Sequence, residues 1–289
     1  MAMNLCDIRT VKQVMQMFSL NFHKEFGQNF LIDRSVVENT AENCCDDFSS
    51  TILEIGPGIG TLTREIAARY KNVVCLEIDS ALIPVLKFTL EEFDNVTVHN
   101  EDVMKVDLAE LLAPAFAEGN VSVCANLPYY ITTPIIMGLL EARLPIDVLV
   151  TMVQKEVAER MVARPGTKDY GALSVSVQYF TEPDIMFTIP PRSFIPAPAV
   201  DSAVIRCRVR ENPPVQVDDE KMFFRVVKAS FAQRRKTLSN SLKVTGYSAD
   251  AIREVLAATG IDGQRRGETL SLQEFADLAN AFTKLKEAK

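Results

Sequence analysis

The stretch Asn126-Leu127-Pro128-Tyr129 combines a side-chain amide, a proline-stiffened backbone and an aromatic ring, followed by Tyr130 and the turn Thr132-Thr133-Pro134. It comes directly after the apolar run Val121-Ser122-Val123-Cys124-Ala125, which predicts a buried strand. The Asn126 side chain and the Leu127 carbonyl can each accept a hydrogen bond from a planar amino group. An exposed Tyr129 can stack on the ring that carries that group. The same residues also fit a strand that ends in a proline turn, with an aromatic capping the core. The elements around them have to decide.

Three more polar positions fall where such a site needs them. Thr51-Ile52-Leu53-Glu54-Ile55 predicts a buried strand, and it opens into Gly56-Pro57-Gly58-Ile59-Gly60-Thr61-Leu62-Thr63 and a helix through Ala68. Strand, glycine loop and helix begin a nucleotide-type α/β fold. The glycines fall at every second position rather than as G-x-G-x-x-G, and no Lys-Ser/Thr pair is present to hold phosphates. Such a loop lets the backbone approach an uncharged or zwitterionic group; tight strand-to-helix turns also use glycine. The strand at 72–76 ends in Glu77-Ile78-Asp79, which puts an acidic residue roughly twenty residues past the loop, able to accept both hydroxyls of a ribose. Asp79 suits a helix cap better than Glu77 does. After a helix at 81–90 and a strand at 96–99, Asp102 lies at a third strand end, where it can accept from an adenine amino group. Four strands thus deliver four polar tips to one edge of one sheet, the edge where open α/β sheets bind ligands.

The flanking segments frame that sheet. Val11, Val14, Met15 and Phe18 are spaced for one face of a short helix, and Asp33 is a good N-cap for a second. Between them Phe26-Gly27-Gln28-Asn29-Phe30-Leu31 reads as a loop that its aromatics can pin down. Beyond the tetrad we expect helices at 108–116, 135–140 and 154–163, and a fifth strand at 148–153. A helix at 173–180 is stopped by Pro183, and strands follow at 185–189 and 202–209. The proline-rich loop 190–198 is expected to present Phe194 as an exposed aromatic. A composition shift at Glu211-Asn212-Pro213-Pro214 marks a linker. Residues 1–210 then form an α/β domain, and 211–289 a small, entirely helical one.

Composition excludes several classes. With 47% apolar and 24% charged residues, this is an ordinary globular chain. No apolar stretch is long enough to span a membrane, and the N-terminus lacks the pattern of a signal peptide. Six cysteines without a CxxC pair, and only two histidines, suggest no metal site; reduced thiols in a cytoplasmic protein are expected. The net charge of −7 counts against a nucleic-acid partner, yet basic residues cluster at Arg206, Arg208, Arg210 and around Arg234-Arg235-Lys236.

Taken together the motifs resemble the small-subunit ribosomal RNA adenine N6-dimethyltransferase family. The likeness covers nearly the whole chain. Its carriers are Phe26–Leu31, Glu54–Thr63, Glu77-Ile78-Asp79 and Asn126–Tyr130, then Phe194-Ile195-Pro196-Ala197-Pro198-Ala199-Val200-Asp201-Ser202 and Phe231–Leu238. The resemblance implies a seven-stranded Rossmann-like class I methyltransferase sheet, its last strand antiparallel, and S-adenosylmethionine as cofactor. It implies that Asn29, Leu31 and Gly56 line the methionine end, that Glu77 holds the ribose and that Asp102 contacts the adenine amino group. Asn126 would also border the cofactor, facing the transferring methyl from the substrate side. With Leu127, Tyr129 and Phe194 it would meet the substrate adenine, and Arg234, Arg235 and Lys236 would contact RNA. The implied substrate is a pair of adjacent adenosines in the 3′-terminal hairpin loop of small-subunit rRNA, modified by a monomeric enzyme during late subunit assembly. The alternatives are a large-subunit rRNA adenine methyltransferase of the antibiotic-resistance type, a DNA adenine methyltransferase, and a non-catalytic assembly factor on the same fold.

Overall fold

A computed structural model describes residues 3–20, 29–233 and 235–287. Phe26, Gly27, Gln28 and Arg234 lie outside the described residues. The chain divides into two compact units, residues 1–158 with 182–209, and residues 159–181 with 210–289. The composition shift alone assigns 159–181 to the first domain; contacts place it with the second.

In the first unit, α1 (Ile8–Met17) is followed by β1 (Phe30–Leu31), α2 (Arg34–Glu42), β2 (Thr51–Ile55), α3 (Thr61–Ala67), β3 (Asn72–Leu76) and α4 (Ile83–Thr89). Then come β4 (Val96–His99), α5 (Leu108–Glu118), β5 (Val121–Asn126), α6 (Thr132–Glu141) and β6 (Ile146–Gln154). After α7 (Lys155–Val162) and α8 (Ala172–Phe180) the chain returns through β7 (Thr181–Ile189), β8 (Phe194–Ile195) and β9 (Ser202–Val209). Seven strands form one sheet in the order β4-β3-β2-β5-β6-β9-β7. From β2 to β4 the chain builds outward in one direction, and from β5 it builds in the other. Pairs β2–β3, β2–β5, β3–β4 and β5–β6 are parallel, whereas β9 runs antiparallel to β6. The seven-stranded mixed sheet is the one expected.

The central strands are continuous buried runs, as parallel strands covered on both faces must be. Reversal of strand order between β2 and β5 opens a crevice outside their carboxyl ends, the usual ligand position in such sheets. Ile55 pairs with Ala125, so the loop after β2 and Asn126 at the end of β5 leave the sheet side by side. A separate two-stranded ribbon pairs Phe30 with Ile195 and Leu31 with Phe194. It ties the chain ahead of α2 to the loop ahead of β9.

Two local expectations shift. Strand β7 starts at Thr181, directly after α8, and Pro183 lies inside it rather than in a loop. β7 is the edge strand of the sheet, where a proline is tolerated because alternate N–H groups face away from the ladder. In the second unit, α9 (Glu220–Phe231), α10 (Leu238–Ser241), α11 (Ala249–Thr259) and α12 (Leu272–Glu287) provide the helices. Helix α8 packs on α9 through stacked rings, Tyr179 on Phe223 at 4.8 Å and Phe180 on Phe224 at 5.5 Å between centroids. Those aromatic pairs hold α8 in the second unit.

Candidate active site

A cleft of about 1110 Å³, counting the open solvent at its mouth, lies along the carboxyl ends of β2, β3 and β5. Its walls include Asn29, Leu31, Gly56, Glu77, Asp102, Asn126, Leu127 and Tyr129. Eight residues singled out from sequence thus meet in one place.

The loop after β2 makes one wall. Gly56, Gly58 and Gly60 have φ of 70°, 61° and 88°, which explains glycine at every second position. Gly58 also has no room for a side chain: an added Cβ would sit 3.0 Å from Phe30 Cε1. Without side chains at these positions, the loop lets a ligand come close against backbone. Its own N–H groups are satisfied within the protein, that of Gly56 donating to the Leu76 carbonyl and that of Gly60 to the Pro57 carbonyl, each at 2.9 Å.

Glu77 forms the next wall, and backbone holds both of its oxygens. The Gly58 N–H donates to Oε2 at 3.2 Å and the Asp79 N–H to Oε1 at 2.9 Å. Each oxygen keeps a lone pair for a ligand hydroxyl. Burial pushes the carboxyl up to about 7, and the two backbone donors pull the other way. Asp79 caps the turn that leads into α4, accepting from the Ala81 N–H at 3.0 Å. Asn100 braces the same tip by donating to the Glu77 carbonyl at 2.7 Å. Asp102 accepts from the Met104 N–H at 3.0 Å and pairs with Lys105 at 3.3 Å.

Sequence reasoning missed Glu54. It is 1% exposed, lines the cleft beneath the glycine loop, and burial pushes its carboxyl up to about 7. A charged residue inside an otherwise apolar strand was the signal that could have found it.

The opposite wall is the tetrad. Asn126 Nδ2 donates to the Asn29 carbonyl at 3.1 Å, so the amide nitrogen is used within the protein and Oδ1 is the atom left for a ligand. The turn is closed by the Ile131 N–H and the Thr132 hydroxyl, which donate to the Pro128 carbonyl at 3.1 and 3.0 Å. Tyr129 is half-buried, with its hydroxyl 2.5 Å from Ser202 Oγ, while Tyr130 is 64% exposed.

Phe194 departs from expectation. It is 3% exposed and sits in the core beside Leu31, because antiparallel pairing of β8 with β1 turns the ring inward. It is not on the cleft wall. Arg235 and Lys236 are exposed, and they lie in the second unit.

The cleft selects by charge. Glu54, Glu77, Glu101 and Asp102 line it, and no lysine, arginine or histidine is among the described lining residues. Such a wall repels the pyrophosphate of a dinucleotide and suits a cationic ligand with hydroxyls and an amino group to donate. S-adenosylmethionine has those groups, so the residues fit it.

A profile of the family described as ribosomal RNA adenine dimethylase matches residues 19–284. The chain is 49% identical over 278 residues to a ribosomal RNA small subunit methyltransferase A of Alkaliphilus oremlandii, covering 96% of this chain and 97% of the relative. It is 50% identical over 279 residues to the protein of that name from Geobacillus thermodenitrificans, covering 95% of each. Among solved structures, a dimethyladenosine transferase from Plasmodium falciparum superposes with a TM-score of 0.75 at 25% identity, over 88% of this chain and 98% of that one. The 23S rRNA methyltransferase ErmE superposes with a TM-score of 0.66 at 27% identity, over 88% and 100%. Matched from end to end by relatives half identical to it, the chain belongs to the ribosomal RNA adenine dimethylase family.

Proposed function

We propose that this protein uses S-adenosylmethionine to dimethylate the N6 amino groups of two adjacent adenosines in the 3′-terminal hairpin loop of small-subunit rRNA, in the cytoplasm and as a monomer. Its class of activity, methyl transfer to adenine in ribosomal RNA, follows from its family. Asn29, Leu31 and Gly56 would hold the methionine end of the cofactor, Glu77 the ribose and Asp102 the adenine amino group; Glu54 adds a buried carboxyl near the glycine loop. When bound, the cofactor supplies a methyl group on a positively charged sulfur.

The observation that carries the reading is the Asn126 amide, fixed by the Asn29 carbonyl with its oxygen left for the substrate. An adenine amino nitrogen is a poor nucleophile because its lone pair is delocalised into the ring. Two acceptors, Asn126 Oδ1 and the Leu127 carbonyl, bias it toward a pyramidal nitrogen with the lone pair free. Positioning then supplies most of the rate, and no side chain has to take a proton first. Removing the base from its stack costs a few kcal/mol, and stacking on Tyr129 offsets roughly 1–3 kcal/mol of that.

The choice of the small subunit rests on relatives near 50% identity, against 27% for the 23S enzyme. The set of cleft carboxylates favours an enzyme over an assembly factor alone. Transfer of labelled methyl to immature small subunits, compared with large subunits and naked DNA, tests the reading. Label should enter the small-subunit rRNA; label confined to the large subunit would overturn the substrate.

A further inference from the structure

We propose that Ser202 is a positioning residue for methyl transfer, acting through the Tyr129 hydroxyl to fix the ring on which the target base stacks. The inference rests on the reading of Tyr129 as that stacking surface.

The sheet explains why a residue so far along the chain reaches the site. Parallel strands bring their carboxyl ends to the ligand edge, but β9 runs antiparallel to β6 and so brings its beginning there. Asn126 at the end of β5 opposes Met152 of β6, and Ser202 at the start of β9 opposes Gln154 of the same strand. Ser202 therefore stands two residues beyond Asn126's level on the shared strand, buried against Tyr129, whose ring lines the cleft. Its backbone is held in the ladder, its side chain is 0% exposed, and its Oγ lies 2.5 Å from the Tyr129 hydroxyl.

Tyr129 is thereby held at two ends. The closed turn at Pro128 and Thr132 holds its backbone, and Ser202 holds the far end of the ring. A phenylalanine would offer the same stacking face but would be held at one end alone. Burial raises the pKa of the phenol, with the Ser202 hydrogen bond opposing, so the hydroxyl stays neutral and serves orientation rather than proton transfer.

Dimethylation makes this tether matter unequally. In the first transfer the amino group carries two hydrogens for the two acceptors at Asn126 and Leu127. In the second it carries one, so a larger share of positioning falls on the stacked ring. Loss of the tether should slow the second transfer more than the first.

The test uses the full chain with immature small subunits and follows kcat, KM, cofactor affinity and the ratio of N6-monomethyl to dimethyl adenine. Ser202→Ala and Tyr129→Phe should each lower kcat by about three- to tenfold, leave cofactor Kd unchanged and raise the monomethyl share. The double variant should be no worse than either single one, and Ser202→Thr should restore the wild-type ratio. Additive losses, or a slower rate with an unchanged product ratio, would reduce Ser202 to a structural role and overturn the inference. Tyr129→Ala separates the two levels. Wild-type turnover by that variant removes the stacking reading itself. Loss of transfer in it, with Ser202→Ala and Tyr129→Phe both normal, removes only the role of Ser202.

Discussion

The Asn126 side chain donates to the backbone carbonyl of Asn29 at 3.1 Å, joining positions 97 residues apart in the chain. This contact sets the sense of the amide. With nitrogen toward Asn29, the oxygen is available to an amino group; turned over, the cleft would present a second donor to a donor. Asn126→Asp places two acceptors against each other at the same spot. We expect it to lose about 1–3 kcal/mol of stability, the cost of an unmet buried polar group, and to lose methyl transfer as well. Thermal unfolding and single-turnover transfer read the two effects separately.

Glu77 and Glu54 should make cofactor binding depend on pH. Burial raises both carboxyls to about 7 from the ordinary 4.5. Between those values the folded protein holds protons that the unfolded chain has released. Their stabilising contribution is complete below about 4.5 and is lost as pH rises through about 7. A cationic, hydroxyl-bearing ligand favours the ionised carboxylates, so its binding near neutral pH should release protons. Calorimetry in buffers of different ionisation enthalpy should show this release, and Glu77→Gln should reduce it. Glu77→Ala should weaken cofactor affinity by about 10- to 100-fold, the worth of hydrogen bonds to a charged group.

Gly58 tests the glycine loop. Its φ of 61°, with the Phe30 ring 3.0 Å from where a Cβ would stand, leaves alanine both strained and crowded. Gly58→Ala should cost about 1–2 kcal/mol from the left-handed backbone alone, and should weaken cofactor binding because the loop must shift. Gly119, with nothing within 4 Å of an added Cβ, is a control for crowding rather than for backbone strain.

Arg235 and Lys236 test the RNA contact. If each neutralises one phosphate, replacing both by alanine should lower the slope of log affinity against log salt by about 1.4–1.8. Filter binding across a salt series reads that slope, and an unchanged slope would remove both residues from the interface.

Much of the site was legible because its parts are local. A buried apolar run followed by glycines, or by Glu77, or by Asn126, carries its own strand end, and parallel strands send such ends to one edge. What escaped depends on pairing between distant segments. Phe194 reads as exposed in its proline-rich loop, yet pairing with Leu31 turns it into the core. Ser202 reads as the first residue of a strand, and only the antiparallel placement of β9 brings it to Tyr129. Pro183 looks like a stop until β7 proves to be an edge. Glu54 was visible as a charge in an apolar strand, but its place in the cleft wall needed the loop above it.

The central claim is that Asn126 acts on the substrate amino group and not on the cofactor's affinity. Single-turnover methyl transfer to immature small subunits by Asn126→Ala, measured beside cofactor binding to the same preparation, tests it most directly. The account predicts a loss of transfer of at least about 100-fold, on the scale of removing one preorganised polar group from an active site, with cofactor Kd within about twofold of wild type. Wild-type transfer by Asn126→Ala, or a loss explained wholly by weaker cofactor binding, would contradict it.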